Sequence, residues 1–159
     1  MVFVIVGTQD KPFERLLKYV DKHIEKGNIK GEVIVQAGQT KYHSNNMKIL
    51  NLIPIDEFQD YIKKADYIIT HGGVGSILDG LNAGKKIIAV PRLAKYGEHV
   101  NDHQVQIIDE FVNKGYILTC DNLDELDKTI ERLDKFKPKK YKSNNKKFIK
   151  LLTDYIDKS

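Results

Sequence analysis

Short, nearly unbroken apolar runs alternate with amphipathic stretches along the whole chain. Runs at 2–6, 32–36, 48–52, 67–70, 86–90 and 116–118 predict strands. The Val/Ile-rich ones show no polar alternation, as expected of parallel strands covered on both faces. Between the runs, apolar positions recur at helical spacing over 13–26, 56–64, 75–83, 101–114, 123–133 and 145–156, which predicts helices. Pro12 suits a first helical turn and Gly27 and Gly84 suit helix stops. Asp56 with Gln59 three residues on resembles a capping pair. Strand and helix in strict alternation predict an α/β fold, an open, doubly wound parallel sheet with helices on both faces. Ligands of such sheets gather at the carboxyl ends of the strands. Gly7-Thr8-Gln9, the stretch 70–76 and the stretch 92–104 each follow a predicted strand, so they share one rim.

Length and composition narrow the picture. A chain of 159 residues is one domain by the usual prior and large enough for a core of its own. Hydrophobic residues at 41% and charged residues at 30% are ordinary for a soluble α/β domain. No apolar run approaches the roughly 20 residues of a membrane span. The opening V-F-V-I-V is too short for a secretory leader and reads as a first strand. Cys120 is the single cysteine, so no internal disulfide can form and a cytoplasmic setting is expected. The net charge of +4 is unevenly spread. Eight lysines and no acid fall between Lys135 and Lys150, leaving 18 basic against 22 acidic residues elsewhere. The expected organisation is therefore a mildly acidic α/β body over 1–134, followed at 135–159 by a lysine-rich segment and an amphipathic helix of the same domain. Such a cationic run is either a solvated face or an attraction to an anionic membrane, worth roughly 1 kcal/mol per residue. No aromatic stacking platform or reading helix accompanies it, so nucleic acid is not an expected partner.

The chemistry concentrates in T-H-G-G-V-G-S-I-L-D at 70–79 and E-H-V-N-D-H-Q at 98–104. Gly72, Gly73 and Gly75 allow close backbone approach, and Ser76 offers a hydroxyl where a strand hands over to a helix. That arrangement suits a phosphate group. Asp79, one turn later, can accept two ribose hydroxyls. Glu98, Asn101, Asp102, His103 and Gln104 form a second polar cluster after the next strand. A charged site beside a hydroxyl-binding one fits a nucleotide-sugar. Other readings fail on the residues. There is no Walker loop, and Gly73-Val74-Gly75 has Leu78 where a dinucleotide fingerprint needs its third glycine. G-V-G-S-I-L is not a nucleophile elbow. His99 and His103 are four apart but lack the internal glutamate and third ligand of a zinc site, so no metal is expected. His71 and His103 are the only candidate catalytic side chains, and either could equally be structural.

H-G-G-V-G-S-I-L-D, followed by Gly84, Pro91 and N-D-H-Q, resembles the C-terminal domain of glycosyltransferase family 28, the nucleotide-sugar half of GT-B enzymes. The opening V-F-V-I-V-G-T-Q-D-K-P-F-E-R-L-L is similar to stand-alone versions of that domain. These serve in split dolichol-linked N-acetylglucosamine transferases and in bacterial capsule and exopolysaccharide transferases. The resemblance covers roughly residues 1–120. It implies a Rossmann-like fold equivalent to one half of a GT-B enzyme. Gly72, Gly73, Gly75 and Ser76 would hold the UDP diphosphate, with Gly7, Thr8 and Gln9 on the adjoining rim. His71 precedes that loop, Asp79 would hold the ribose, and Glu98 and Asn101 to Gln104 would face the sugar. Two departures stand out: family members more often carry glutamate at 79, and Lys86 replaces a proline.

The implied reaction is inverting transfer of a hexose from UDP-sugar to a lipid-linked acceptor in polysaccharide or glycolipid synthesis. Backbone N–H groups and a helix dipole would replace a divalent metal at the diphosphate, so no cofactor is expected. A GT-B enzyme works in a cleft between two domains, and this chain supplies one. A membrane-anchored, acceptor-binding partner subunit is therefore expected, holding the protein at the inner face of the membrane. The lysines and the stripe Phe148, Ile149, Leu151, Leu152, Tyr155, Ile156 would lie near that partner or membrane, or else pack on the domain's own sheet. The competing expectation is a non-catalytic subunit that stabilises or enhances the transferase chain.

Overall fold

The computed structural model describes residues 1–142 and 145–157. Among them, strands β1 (Val2–Ile5), β2 (Val33–Gln36), β3 (Lys48–Leu50), β4 (Tyr67–His71), β5 (Ile87–Val90) and β6 (Leu118–Thr119) form one sheet. Its order is β3-β2-β1-β4-β5-β6 and every pairing is parallel. Strand order therefore reverses between β1 and β4, which places the ligand crevice at their carboxyl ends. Helices α1 (Glu14–Glu25), α2 (Ile55–Lys64), α3 (Val74–Asn82), α4 (His103–Asn113), α5 (Leu126–Lys135) and α6 (Lys146–Asp157) make the crossovers and cover the faces.

Alternate strand residues point to opposite faces, and the core divides accordingly. Val2, Val4, Val35, Ile69 and Ile88 pack with Leu16 and Leu17 of α1 and Leu126 and Leu133 of α5. Phe3, Ile34, Ile68 and Ile87 pack with Ile62 of α2, Ile77 of α3 and Phe111 of α4. Phe148 and Leu152 of α6 are buried in this second cluster. The Phe148 ring meets Phe111 edge to face at 5.0 Å, while Ile149 is half-exposed. The described part of the C-terminal stripe thus packs on this domain. The side chains of Tyr155 and Ile156, and Ser143, Asn144, Lys158 and Ser159, lie outside the described residues.

Several element boundaries differ from expectation. Pro12 lies outside α1, whose cap position is Phe13; the Phe13 N–H donates to Thr40 Oγ1 at 3.0 Å, so a loop hydroxyl anchors the helix entry. Asp56 is not a cap. Helix α2 starts one residue earlier behind Pro54 and has no side-chain cap, which leaves Asp56 and Glu57 in its first turn, where the helix dipole favours them. The predicted helix at 123–133 is a 3-10 turn, Leu123–Glu125, running into α5. The Asn122 side chain caps that turn by accepting from Asp124 N–H. Lys86, at the position of the family's proline, donates to the carbonyls of Leu133 (3.0 Å) and Asp134 (3.1 Å) at the end of α5.

The lysine-rich segment runs along the edge opposite the crevice. Lys139 N–H donates to Gly115 O at 2.9 Å, just before β6. A recess there is lined by Lys114, Lys139, Lys140 and Lys142.

Candidate functional site

A cleft of about 330 Å³ opens at the carboxyl ends of β1 to β4. Helix α3 begins at its edge, with Gly73 in the cap position and no side-chain cap. The first N–H groups of a helix have no intrahelical partner, and Gly73, Gly75 and Ser76 line the cleft. The positive end of a helix and a hydroxyl therefore converge on one volume. Opposite them stands the turn after β1. Gly7 has φ +90°, and Gln36 at the end of β2 fastens it by accepting from its N–H at 3.1 Å.

His71 closes the floor. Its ring Nε2 lies 2.7 Å from where a Cβ would stand on Gly7, and 2.7 Å from where one would stand on Gly73. The imidazole therefore occupies space that only two glycines leave free. It is buried, and burial first, with Arg92 and His99 adding, pushes its pKa down to about 3. The ring is neutral at ordinary pH. Gln104 of α4, 3% exposed, sits behind it. The Gln104 amide oxygen accepts from Gly72 N–H and from Arg92 N–H, both at 3.0 Å, and its nitrogen lies 3.2 Å from His71 Nδ1.

A buried cation holds the connection between β5 and α4. Arg92 is fully buried and donates to Lys11 O at 2.7 Å, Glu98 O at 3.0 Å and Val6 O. Burial lowers its pKa to about 10, against the opposing pull of Glu98 and Asp10. Among the described residues its Nε has no hydrogen-bond partner. The Glu98 carboxylate, nearly buried, takes two bonds from Arg15 of α1 at 3.0 Å each and one from Leu93 N–H at 3.0 Å. The Arg15 guanidinium also sits 4.8 Å from the Tyr96 ring centre. Loop and helix are thereby locked together.

The structure gathers Gly7, Thr8, Gln9, His71, Gly73, Gly75 and Ser76 around the one cleft. Asn101, Asp102 and His103 line a second recess on the same rim, with Leu93 and Lys95. Asn101 Oδ1 accepts from His103 N–H at 3.0 Å and Asp102 Oδ1 from Ala94 N–H at 2.9 Å, so both shape the entry to α4. Four expected contacts line neither recess. Glu98 and Gln104 are spent on internal bonds, and the Gly72 N–H is taken by Gln104, so these three build the rim from behind. Asp79 is half-buried on α3 outside the cleft lining, and burial raises its pKa. Sequence reading missed Gln36, Asn51, Leu52, Ile53 and Phe58, which complete the lining. Two of them were visible as polar residues ending apolar runs, V-I-V-Q and K-I-L-N. Among the described residues, no three His, Cys, Asp or Glu side chains come together to hold a metal.

A parallel sheet with this strand order, and an open helix N-terminus at its reversal point, defines a Rossmann-like domain of the kind that forms one half of a GT-B glycosyltransferase. The chain belongs to the glycosyltransferase family 28 C-terminal domain family, which it matches over residues 1–158. It is 27% identical over 137 residues to a Yarrowia lipolytica protein named UDP-N-acetylglucosamine transferase subunit ALG13, covering 79% of this chain and 68% of that one. An NMR solution structure of ALG13 superposes with a TM-score of 0.59 at 24% identity, covering 95% of this chain and 94% of that one. The crystal structure of Acinetobacter baumannii MurG gives a TM-score of 0.57 at 18% identity, over 82% of this chain and 40% of that one. Among the described residues no helix is long and apolar enough to cross a membrane.

Proposed function

We propose that the chain is the donor-binding subunit of a two-component, inverting UDP-N-acetylglucosamine transferase acting on a lipid-linked acceptor in glycolipid or polysaccharide synthesis. The observation that carries this reading is the uncapped α3 N-terminus, framed by Gly73, Gly75 and Ser76, opening into the cleft at the strand-order reversal. The diphosphate lies on the N–H groups of that turn, where direct hydrogen bonds and the helix dipole meet its charge without a metal. Leu52, Ile53 and Phe58 give the cleft an apolar wall for the uracil ring. Asp79, further along α3 and outside the cleft lining, is offered to the ribose only where the nucleoside extends past the cleft edge, and the sugar reaches toward Asn101 and His103. Choice of N-acetylglucosamine follows the naming of relatives such as the Yarrowia protein.

The same N–H groups stabilise the charge that builds on UDP as the acceptor oxygen attacks the anomeric carbon from the opposite side. His71 is the one titratable side chain in the cleft lining among the described residues. Held neutral down to about pH 3, it is a poor base. A membrane-anchored partner chain therefore supplies the acceptor site and the base, and this chain sits at the cytoplasmic face. Its lysine edge adds contact with anionic lipid.

The missing base also favours a second reading, a non-catalytic subunit that stabilises or enhances the chain doing the chemistry. Isothermal titration with UDP separates the two. The donor reading expects micromolar binding that survives EDTA and is lost in Ser76→Ala/Asp79→Ala. Absence of binding, even with the partner chain present, would leave the non-catalytic reading.

A further inference from the structure

We infer that Gln104 is a positioning residue that locks His71 in the tautomer with its proton on Nε2, presenting the cleft with a neutral hydrogen-bond donor for an anionic phosphate oxygen. The phosphate clause rests on the donor-binding reading above; the tautomer does not.

The argument is one of donor and acceptor inventory. A side-chain amide has an acceptor end and a donor end, and which is which must come from its partners. Gln104 touches two backbone N–H groups, those of Gly72 and Arg92, each at 3.0 Å. Backbone N–H groups only donate, so the end they share is the oxygen. The other end is the NH2 group, and it faces His71 Nδ1 at 3.2 Å. An NH2 group is a donor, so Nδ1 must be the bare nitrogen and the single proton of a neutral ring sits on Nε2. That nitrogen has no protein partner among the described residues, and the ring borders the cleft between Gly7 and Gly73.

The charged and titratable groups that act on the ring are Arg92, from the end of β5, and His99, from the following loop, and both oppose a second proton. The ring therefore stays neutral, and its donor end is fixed by packing instead of by pH. The arrangement couples three elements: the ends of β4 and β5 clamp Gln104, and Gln104 sets the ring. It also gives Gln104 a purpose that its burial would otherwise deny it.

The test is histidine-selective proton–nitrogen NMR on the full chain, in which two-bond correlations separate the two neutral tautomers. Wild type should show His71 with bare Nδ1. In Gln104→Glu the carboxylate can still accept from both N–H groups but cannot donate to Nδ1. The ring should then move its proton to Nδ1 or become doubly protonated. Titration of the same variant should show UDP binding weakened roughly tenfold to a hundredfold when the proton has moved, with uridine, which lacks phosphate, binding as in wild type. A wild-type ring carrying its proton on Nδ1, or an unchanged ring in Gln104→Glu, would overturn the inference. Equal losses for UDP and uridine would overturn its phosphate clause. If Gln104→Glu fails to fold, the wild-type spectrum still decides the tautomer. Wild type failing to bind UDP, even with the partner chain present, while showing bare Nδ1 would sink the donor reading and leave the tautomer established.

Discussion

The imidazole of His71 constrains two glycines at different strands' ends, and at Gly73 one added methyl group tests the constraint. Gly73 has an ordinary backbone, φ −75°, so alanine there is objectionable only because its Cβ would run into the ring. Gly73→Ala should cost about 1–3 kcal/mol in urea unfolding, and adding His71→Asn should recover much of that by vacating the space. Equal, additive losses would mean that the ring does not set the constraint. The same ring makes stability depend on pH with a definite sign. An unfolded histidine takes a proton near 6.5, whereas the buried ring resists until about 3. Between those values the unfolded chain binds more protons, so stability should fall as pH drops below 6.5, by at most about 1.4 kcal/mol per pH unit from this group. The slope should flatten in His71→Asn, measured between pH 6.5 and 5 where the carboxylates add little. The sequence reading could name His71 as structural or functional but could not choose, because what decides is which glycine backbones pass beside the ring. Gln104 poses the same difficulty. A glutamine one turn into a helix on the ligand rim looks available for sugar, and its neighbours Gly72 and Arg92 come from other elements.

At the scale of elements, apolar periodicity carried most of the information. Each predicted run and stripe has a counterpart among the described elements, and the match is tight for β1, β2, β4 and β5, which are buried on both faces. The edge strand β6, only partly buried, shares just Leu118 with its predicted run. Boundaries slipped where a tertiary partner replaced a local cap, as Thr40 does for α1. The connection between β5 and α4 was the least legible piece. Its polar residues suggested ligand contacts, yet the Glu98 carboxylate accepts from Nε and Nη2 of Arg15 on α1. Removing one member of such a pair strands the other in a largely buried setting. Glu98→Gln should therefore cost about 3 kcal/mol and raise hydrogen exchange across 93–102. The double variant Arg15→Met/Glu98→Gln should be less destabilised than the sum of the singles. Additive effects with unchanged exchange would show that the loop holds its shape without the pair.

At the scale of the molecule, the parallel sheet sorts function onto opposite edges. Every turn leading out of a strand lies on the cleft side, and every turn leading in lies on the other. The stretch 138–142 follows the second edge, beside Gly84 and Lys85 before β5 and Gly115 before β6. Attraction to anionic lipid through these lysines would therefore leave the cleft unobstructed, with its mouth turned away from the lipid contact. The two properties should separate cleanly. Charge reversal at Lys139, Lys140 and Lys142 should weaken sedimentation with phosphatidylserine vesicles at least a hundredfold, since each lysine contributes roughly 1 kcal/mol near such a surface. UDP affinity should not change. Raising the salt should mimic the reversal in wild type, because screening acts on exposed charge and not on the N–H groups at the cleft. If wild type ignores anionic vesicles even at low salt, the lysine edge is a solvated face. If instead charge reversal abolishes UDP binding, the two edges communicate through the sheet, and the separation argued from its topology is wrong.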